Sequence, residues 1–101
     1  MTLGRVIGTV VATRKEERLT GFKLQIVENV DLDLRPTGAF TVAVDAVGAG
    51  YGEIVLTASG SSARLTRTTK DRPVDAVIIG IVDAVETGGR IRYDKAQPAR
   101  A

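Results

Sequence analysis

The chain has no cysteine, no histidine and no tryptophan. Without cysteine there are no disulfides and no thiolate metal ligands, and without histidine there are no imidazole ligands. The commonest general acid or base at neutral pH is missing too, so an enzyme built on this sequence would depend on Asp, Glu, Lys, Tyr or Ser alone. A cysteine-free chain suits the reducing cytosol. Aromatics are scarce: Phe22, Phe40, Tyr51 and Tyr93 are all there are. No apolar run approaches the roughly 18 residues of a membrane-spanning helix. The N-terminal apolar stretch, Val6 to Ala12, contains Gly8 and Thr9 and runs straight into Thr13-Arg14-Lys15. That layout is not a signal peptide, and it reads as a strand in a cytoplasmic protein.

Charge of one sign is also lacking. Lys plus Arg total 14 and Asp plus Glu total 12, for a net +2, and the two signs are interleaved. The nearest approach to a basic run is Arg64, Arg67, Lys70 and Arg72, interrupted by Asp71. Its ordinary meaning is a solvated loop or helix face; a subunit contact or an anionic ligand are the alternatives.

What is present is globular: 44% hydrophobic residues, mostly Val, Ile, Leu and Ala, against 26% charged. A chain of 101 residues fits one domain. A domain of that size buries roughly 60–70% of the surface its unfolded chain exposes, a thin margin that oligomerisation would widen. Valine-rich composition with 11 glycines favours strands joined by tight turns.

Leu3 to Thr13 (LGRVIGTVVAT) is a long first strand in which Gly4 and Gly8 mark a bulge, a bend or the close approach of another backbone. Lys23 to Val30 is a second strand, and Asp31 to Gly38, with Pro36, reads as a loop. Phe40, Val42, Val44 and Ala46 recur at period two, which predicts a half-buried third strand over 40–47. Glu53 to Ala58 is a fourth strand. Ser61 or Ser62 is placed to cap a short helix from Ala63 to about Thr69, although Thr66, Thr68 and Thr69 are poor helix formers. Val74 to Val85 is the strongest strand, and its unbroken apolar run suggests core on one face and a neighbouring subunit on the other. Arg90 to Asp94 is a short sixth strand, and Lys95 to Ala101 a polar tail. The expected fold is all-β, a small five-stranded OB-like barrel with one short helix between the fourth and fifth strands, occupying residues 1–94.

The motifs do not point to catalysis. GAGYGE, at Gly48 to Glu53, is glycine-rich like a phosphate loop, but it leads into a strand rather than a helix and has no Walker lysine. It reads as a tight turn needing positive φ. Asp45 and Asp83 each follow an apolar run, and hydrogen bonding at strand ends is the better reading for both; Asp75, near Pro73, is a turn residue. No cofactor, metal or catalytic residue is assigned.

Four stretches together resemble the EutN/CcmL family of bacterial microcompartment vertex proteins: GRVIGTVVATRK at Gly4 to Lys15, GFKLQIV at Gly21 to Val27, AVDAVGAGYGEIVL at Ala43 to Leu56, and GSSAR at Gly60 to Arg64 followed by DAVIIGIVDAV at Asp75 to Val85. Order and spacing match across nearly the whole chain. The resemblance implies a structural, non-enzymatic subunit, usually a cyclic homopentamer, seated at the fivefold vertices of a polyhedral shell in the cytoplasm. Its partners would be copies of itself, hexameric shell proteins and, through the tail, enclosed enzymes, with no nucleic acid and no membrane. Pore-lining or subunit-interface positions would then be Gly48, Ala49, Gly50, Gly52, Glu53, Gly60, Ser61, Ser62 and Arg64, with Ser61 and Ser62 near the fivefold axis and Glu53 and Arg64 making charged contacts within or between subunits. The competing class is an OB-type nucleic-acid-binding module, which the few aromatics and balanced charge disfavour.

Overall fold

A computed structural model describes residues 1–12, 17–70 and 72–96. Thr13, Arg14 and Lys15 of the first family-like stretch (Thr13 also the expected end of the first strand), Asp71 of the basic run and residues 97–101 of the tail lie outside the described residues. The strands are β1 (Thr2–Val10), β2 (Leu24–Val30), β3 (Pro36–Asp45), β4 (Ile54–Ser59), β5 (Ala76–Ile81), β6 (Ala84–Thr87) and β7 (Arg90–Asp94). Two short 3-10 helices, Glu17–Leu19 and Gly60–Arg64, lie between β1 and β2 and after β4. The first five strands close into a barrel in the order β1-β2-β3-β5-β4, with β4 pairing back to β1. All these pairings are antiparallel except β3 with β5, which is parallel and short. The expected five-stranded OB-like barrel is therefore what the chain forms.

Closure relies on β1. Its register against β2 shifts between Val6 and Gly8, an extra residue that bends the strand so that it can pair with β2 on one side and β4 on the other. Gly4 answers the other expectation, because Val27 Cγ1 and the Glu28 carbonyl of β2 crowd the place a Cβ would occupy. Inside the barrel, Val6, Val27, Ala43, Val55, Ala76 and Ile78 pack into one core cluster. A second cluster lies outside the sheet, where Ala63 and Val74 cover Val44, Ala58 and Val77, with Leu19, Phe22 and Leu24 packed against them.

That second cluster corrects the expectation for β5. Val77 and Ile78 are both fully buried within the single subunit, and at Val77 it is the chain's own β4–β5 connection that covers the outward face; the rest of the strand, 79–81, is half-buried. The apolar run also breaks at Val82-Asp83, and the next strand, β6, belongs to a separate hairpin with β7. Arg92 on β7 donates to Asp33 Oδ1 at 2.6 Å and so holds the hairpin against the β2–β3 loop.

The third strand also departs from its expected face. It begins at Pro36, within the stretch expected to be loop. The barrel interior takes the small Ala43, while Phe40 and Val42 stay 60% and 50% exposed on the outer surface. Period two correctly placed Phe40, Val42, Val44 and Ala46 on a common face. That face is the outer one, covered by the second cluster only at Val44 and Ala46.

Candidate functional site

The glycine-rich loop 48–53 and the GSSAR segment flank β4, one at each end. Six strand residues at about 3.3 Å each span roughly 20 Å, so the two motifs form two separate places on the subunit.

The glycine-rich loop is a rigid turn. Gly48 and Gly52 have φ of 76° and 84°, a region that side-chain-bearing residues rarely enter. Gly52 N donates to the Val6 carbonyl at 2.8 Å, and Val6 N donates to the Glu53 carbonyl at 3.0 Å, which pins the loop to β1. Glu53 Oε1 accepts the Gly50 N–H at 2.5 Å, and its Oε2 pairs with the Lys95 ammonium. The Lys95 hydrogen bond first, then that of Gly50, hold the Glu53 carboxyl below the usual glutamate range; the same contact raises Lys95. The conformation thus explains the glycines without a phosphate.

From below, the loop is held by a residue that the motifs did not single out. Gln25 of β2 is 2% exposed. Its Nε2 donates to the Ala49 carbonyl at 2.9 Å and to Asp45 Oδ2 at 3.3 Å, while its Oε1 accepts from Thr9 Oγ1 at 3.2 Å. Asp45 Oδ1 accepts in turn from the Val47 and Gly48 backbone N–H groups at 3.0 and 2.8 Å. Partial burial alone would raise the Asp45 carboxyl, but the hydrogen bonds from Val47, Ala49, Gln25 and Gly48 outweigh it and lower the carboxyl instead. This is the strand-end role expected of Asp45. The signal for Gln25 was available as a polar residue at an inward position of KLQIV; its partners lie 20 and 24 residues on, which no local pattern reveals.

At the other end of β4, the helix expected from Ala63 to about Thr69 does not form: a five-residue 3-10 segment, Gly60–Arg64, precedes it, and the threonine-rich stretch 65–69 is bend and turn. The N-cap of the 3-10 segment is Ser59, without a side-chain capping bond, so the cap expected at Ser61 or Ser62 is not formed. Ser61, Ser62 and Arg64 are exposed, and Ala63 is buried in the second core cluster. The threonines beyond act as fasteners instead of helix residues. Buried Thr69 donates through Oγ1 to the Ala63 carbonyl at 2.5 Å and shares a 2.6 Å hydroxyl contact with Thr66. Arg64 faces a surface cleft and Glu53 is engaged at the far end of β4, so the two do not pair within the chain. Asp83 contributes its backbone carbonyl, which accepts from Lys95 N at 2.8 Å.

The geometry is that of a closed barrel with a hydrogen-bonded segment at each end of β4 and with Phe40 and Val42 left exposed on its outer face. The family model described as "Ethanolamine utilisation protein EutN/carboxysome" matches residues 1–83. The carboxysome shell vertex protein CcmL of Synechocystis sp. is 45% identical over 99% of this chain and 100% of its own length. The microcompartment shell vertex protein EutN of Salmonella typhimurium is 44% identical over 94% of this chain and 96% of its own. Among solved structures, CcmL of Gloeobacter violaceus superposes with a TM-score of 0.92 at 43% identity, covering 96% of this chain and all of that one. The pentameric microcompartment shell protein GrpN of Rhodospirillum rubrum gives 0.80 at 52% identity, covering 86% of this chain and 99% of its own. The chain belongs to the EutN/CcmL family of bacterial microcompartment shell vertex proteins. It is a structural, non-enzymatic component of such a shell.

Proposed function

We propose that the chain assembles as a cyclic homopentamer that closes the fivefold vertices of a microcompartment shell, set among hexameric shell proteins. A ring needs a heterologous contact, one face of each subunit meeting a different face of the next. The observation that carries this reading is the bare outer face of β3, where Phe40 and Val42 stand 60% and 50% exposed in the single subunit. Their burial against the next copy would supply the margin that a barrel of this size lacks. The pentameric Rhodospirillum rubrum relative supports the ring size.

On this reading Gly48, Ala49, Gly50, Gly52 and Glu53 shape one contact edge, and Gly60, Ser61, Ser62 and Arg64 face the axis or the neighbouring subunit. Ser61 and Ser62 are exposed and their hydroxyls have no partner among the described residues, which leaves them free to line a pore. A charged contact between Glu53 and Arg64 would have to cross from one subunit to the next. Residues 1–94 are the shell domain, and the tail 95–101, rooted by Lys95 on Glu53, is available for shell or enzyme contacts.

Native mass spectrometry of the full chain tests the ring. A dominant pentamer is expected, and V42E should shift it to monomer while the circular dichroism of the barrel persists. A wild-type chain that stays monomeric over a wide concentration range overturns the ring. The vertex role is tested by co-expression with hexameric shell proteins, where omission of this chain should leave shells open at their corners.

A further inference from the structure

Four of the basic residues come together in the fold. Arg64 ends the second 3-10 helix, Lys70 and Arg72 lie on the connection to β5, and Arg18 comes from the first 3-10 helix, 46 positions before Arg64. Together with Ser61, Leu65 and Pro73 they line one cleft of about 680 Å³. That volume lies within the ~300–1,000 Å³ typical of small-molecule sites.

Arg18 already has a partner within the chain, so it serves as a wall of the cleft. The side chains of Arg64, Lys70 and Arg72 have neither an ion pair nor a hydrogen bond among the described residues. Three like charges gathered round one opening repel one another, and no carboxylate among the described residues lines the cleft beside them. The other charged contacts of the described residues are taken up elsewhere: Arg35 and Arg92 with Asp33, and Lys95 with Glu53. Arg67, the remaining member of the basic run, does not line the cleft.

We propose that this cleft is a binding site for a small, multiply charged anion, either a phosphate ester or a polycarboxylate. The guanidinium groups of Arg64 and Arg72 are planar forks suited to two oxygens of one phosphate or carboxylate. Lys70 adds a mobile point charge. The Ser61 hydroxyl is free to donate to a further oxygen, and Leu65 and Pro73 offer an apolar wall for a short carbon skeleton. The site lies on the segment that carries GSSAR, so an anion held there would sit beside the exposed Ser61 and Ser62 and change the charge that the segment presents. The proposal needs neither the ring nor the vertex placement, but it takes Arg64 as unpaired in the assembled protein and so replaces a Glu53–Arg64 contact between subunits.

The test is isothermal titration calorimetry on the purified, assembled protein at low ionic strength, with inorganic phosphate and citrate as separate probes and glycerol as the neutral control. Saturable binding of phosphate or citrate, weakening as salt rises, is expected. Phosphate alone binding would assign the ester class, and citrate alone the polycarboxylates. R64A and R72A should each weaken binding roughly ten-fold or more, the worth of a charge-assisted contact. R72K, which keeps the charge and loses the fork, should fall between R72A and wild type. R67A should bind as wild type does. Absence of saturable binding to either anion overturns the proposal, as does an R67A loss equal to that of R64A, which would mean diffuse attraction to a basic surface. Thermal melting and native mass checks on each variant separate lost binding from lost folding.

Discussion

Replacing Gln25 by glutamate exchanges one NH2 group for an oxygen at the most polar point of the interior. In the native chain Nε2 donates to the Ala49 carbonyl and to Asp45 Oδ2, at 2.9 and 3.3 Å. An ionised carboxylate in its place would face both acceptors with no proton to offer, keeping only the Thr9 hydroxyl as donor. Ala49 is buried, so its carbonyl would lose its side-chain donor where water cannot replace it. A bond lost to a charged acceptor costs ~1.5–3 kcal/mol and a buried group left unsatisfied ~1–3 kcal/mol, so Q25E should lose about 3–5 kcal/mol at neutral pH. At ~4–8 °C per kcal/mol for a domain of this size, the melting midpoint should fall by more than about 12 °C.

The pH dependence identifies the mechanism. The introduced carboxyl, held beside Asp45, would have its pKa raised above the unfolded value, so its protonated form fits best. Its contribution to stability is therefore present below the unfolded pKa and lost as pH rises through the folded one. Asp45 works in the opposite sense, because its lowered pKa contributes stability above the unfolded value that is lost as pH falls through the folded one. The gap between wild type and Q25E should thus be wide near about pH 8 and shrink by half or more near about pH 4, where a carboxyl proton again supplies a donor. Thermal melts of both proteins, at one matched concentration because assembly contributes to the midpoint, provide the measurement. Equal stability at neutral pH, or an equal loss at both pH values, would refute the claim that Gln25 acts as the donor holding the loop.

Other contacts yield further expected outcomes. G4A should cost ~1–3 kcal/mol in chemical denaturation, because its methyl meets Val27, itself fully buried, and stands 3.1 Å from the Glu28 carbonyl; an unchanged midpoint would mean that β1 and β2 can part at no cost. T69V removes the donor to the Ala63 carbonyl at nearly constant volume and should lose ~1–3 kcal/mol, seen as faster amide exchange across residues 60–70 than across β1 and β2. In K95M the Glu53 carboxyl, now lowered by Lys95, should titrate closer to the ordinary glutamate value in an NMR pH series; no movement would remove the Lys95 contact from the account.

The sequence by itself was enough for the class of fold, the approximate positions of the five barrel strands along the chain and the family. β-branched runs separated by glycine-rich turns carry strand positions locally. Gly4 and the Gly48 and Gly52 positions of the GAGYGE turn carry backbone requirements that no other residue meets as well, and the paired GAGYGE and GSSAR strings carry the family resemblance. The direction in which each face points was not legible. Period two says which side chains share a face, but only closure of the barrel decides which face becomes the interior. Phe40 and Val42 therefore lie outside and small Ala43 lies inside. The second buried face of β5 likewise depended on where the β4–β5 connection folds back, a matter of contacts between distant residues. Two further features exist only in three dimensions: the Gln25 link from β2 to the loop, and the cleft that gathers Arg18 with Arg64, Lys70 and Arg72. Hydrogen bonds and charges act across space at a few ångströms, whereas the chain separates Gln25 from Ala49, and Arg18 from the run that holds Arg64, Lys70 and Arg72, by tens of positions, so tertiary packing alone brings them together.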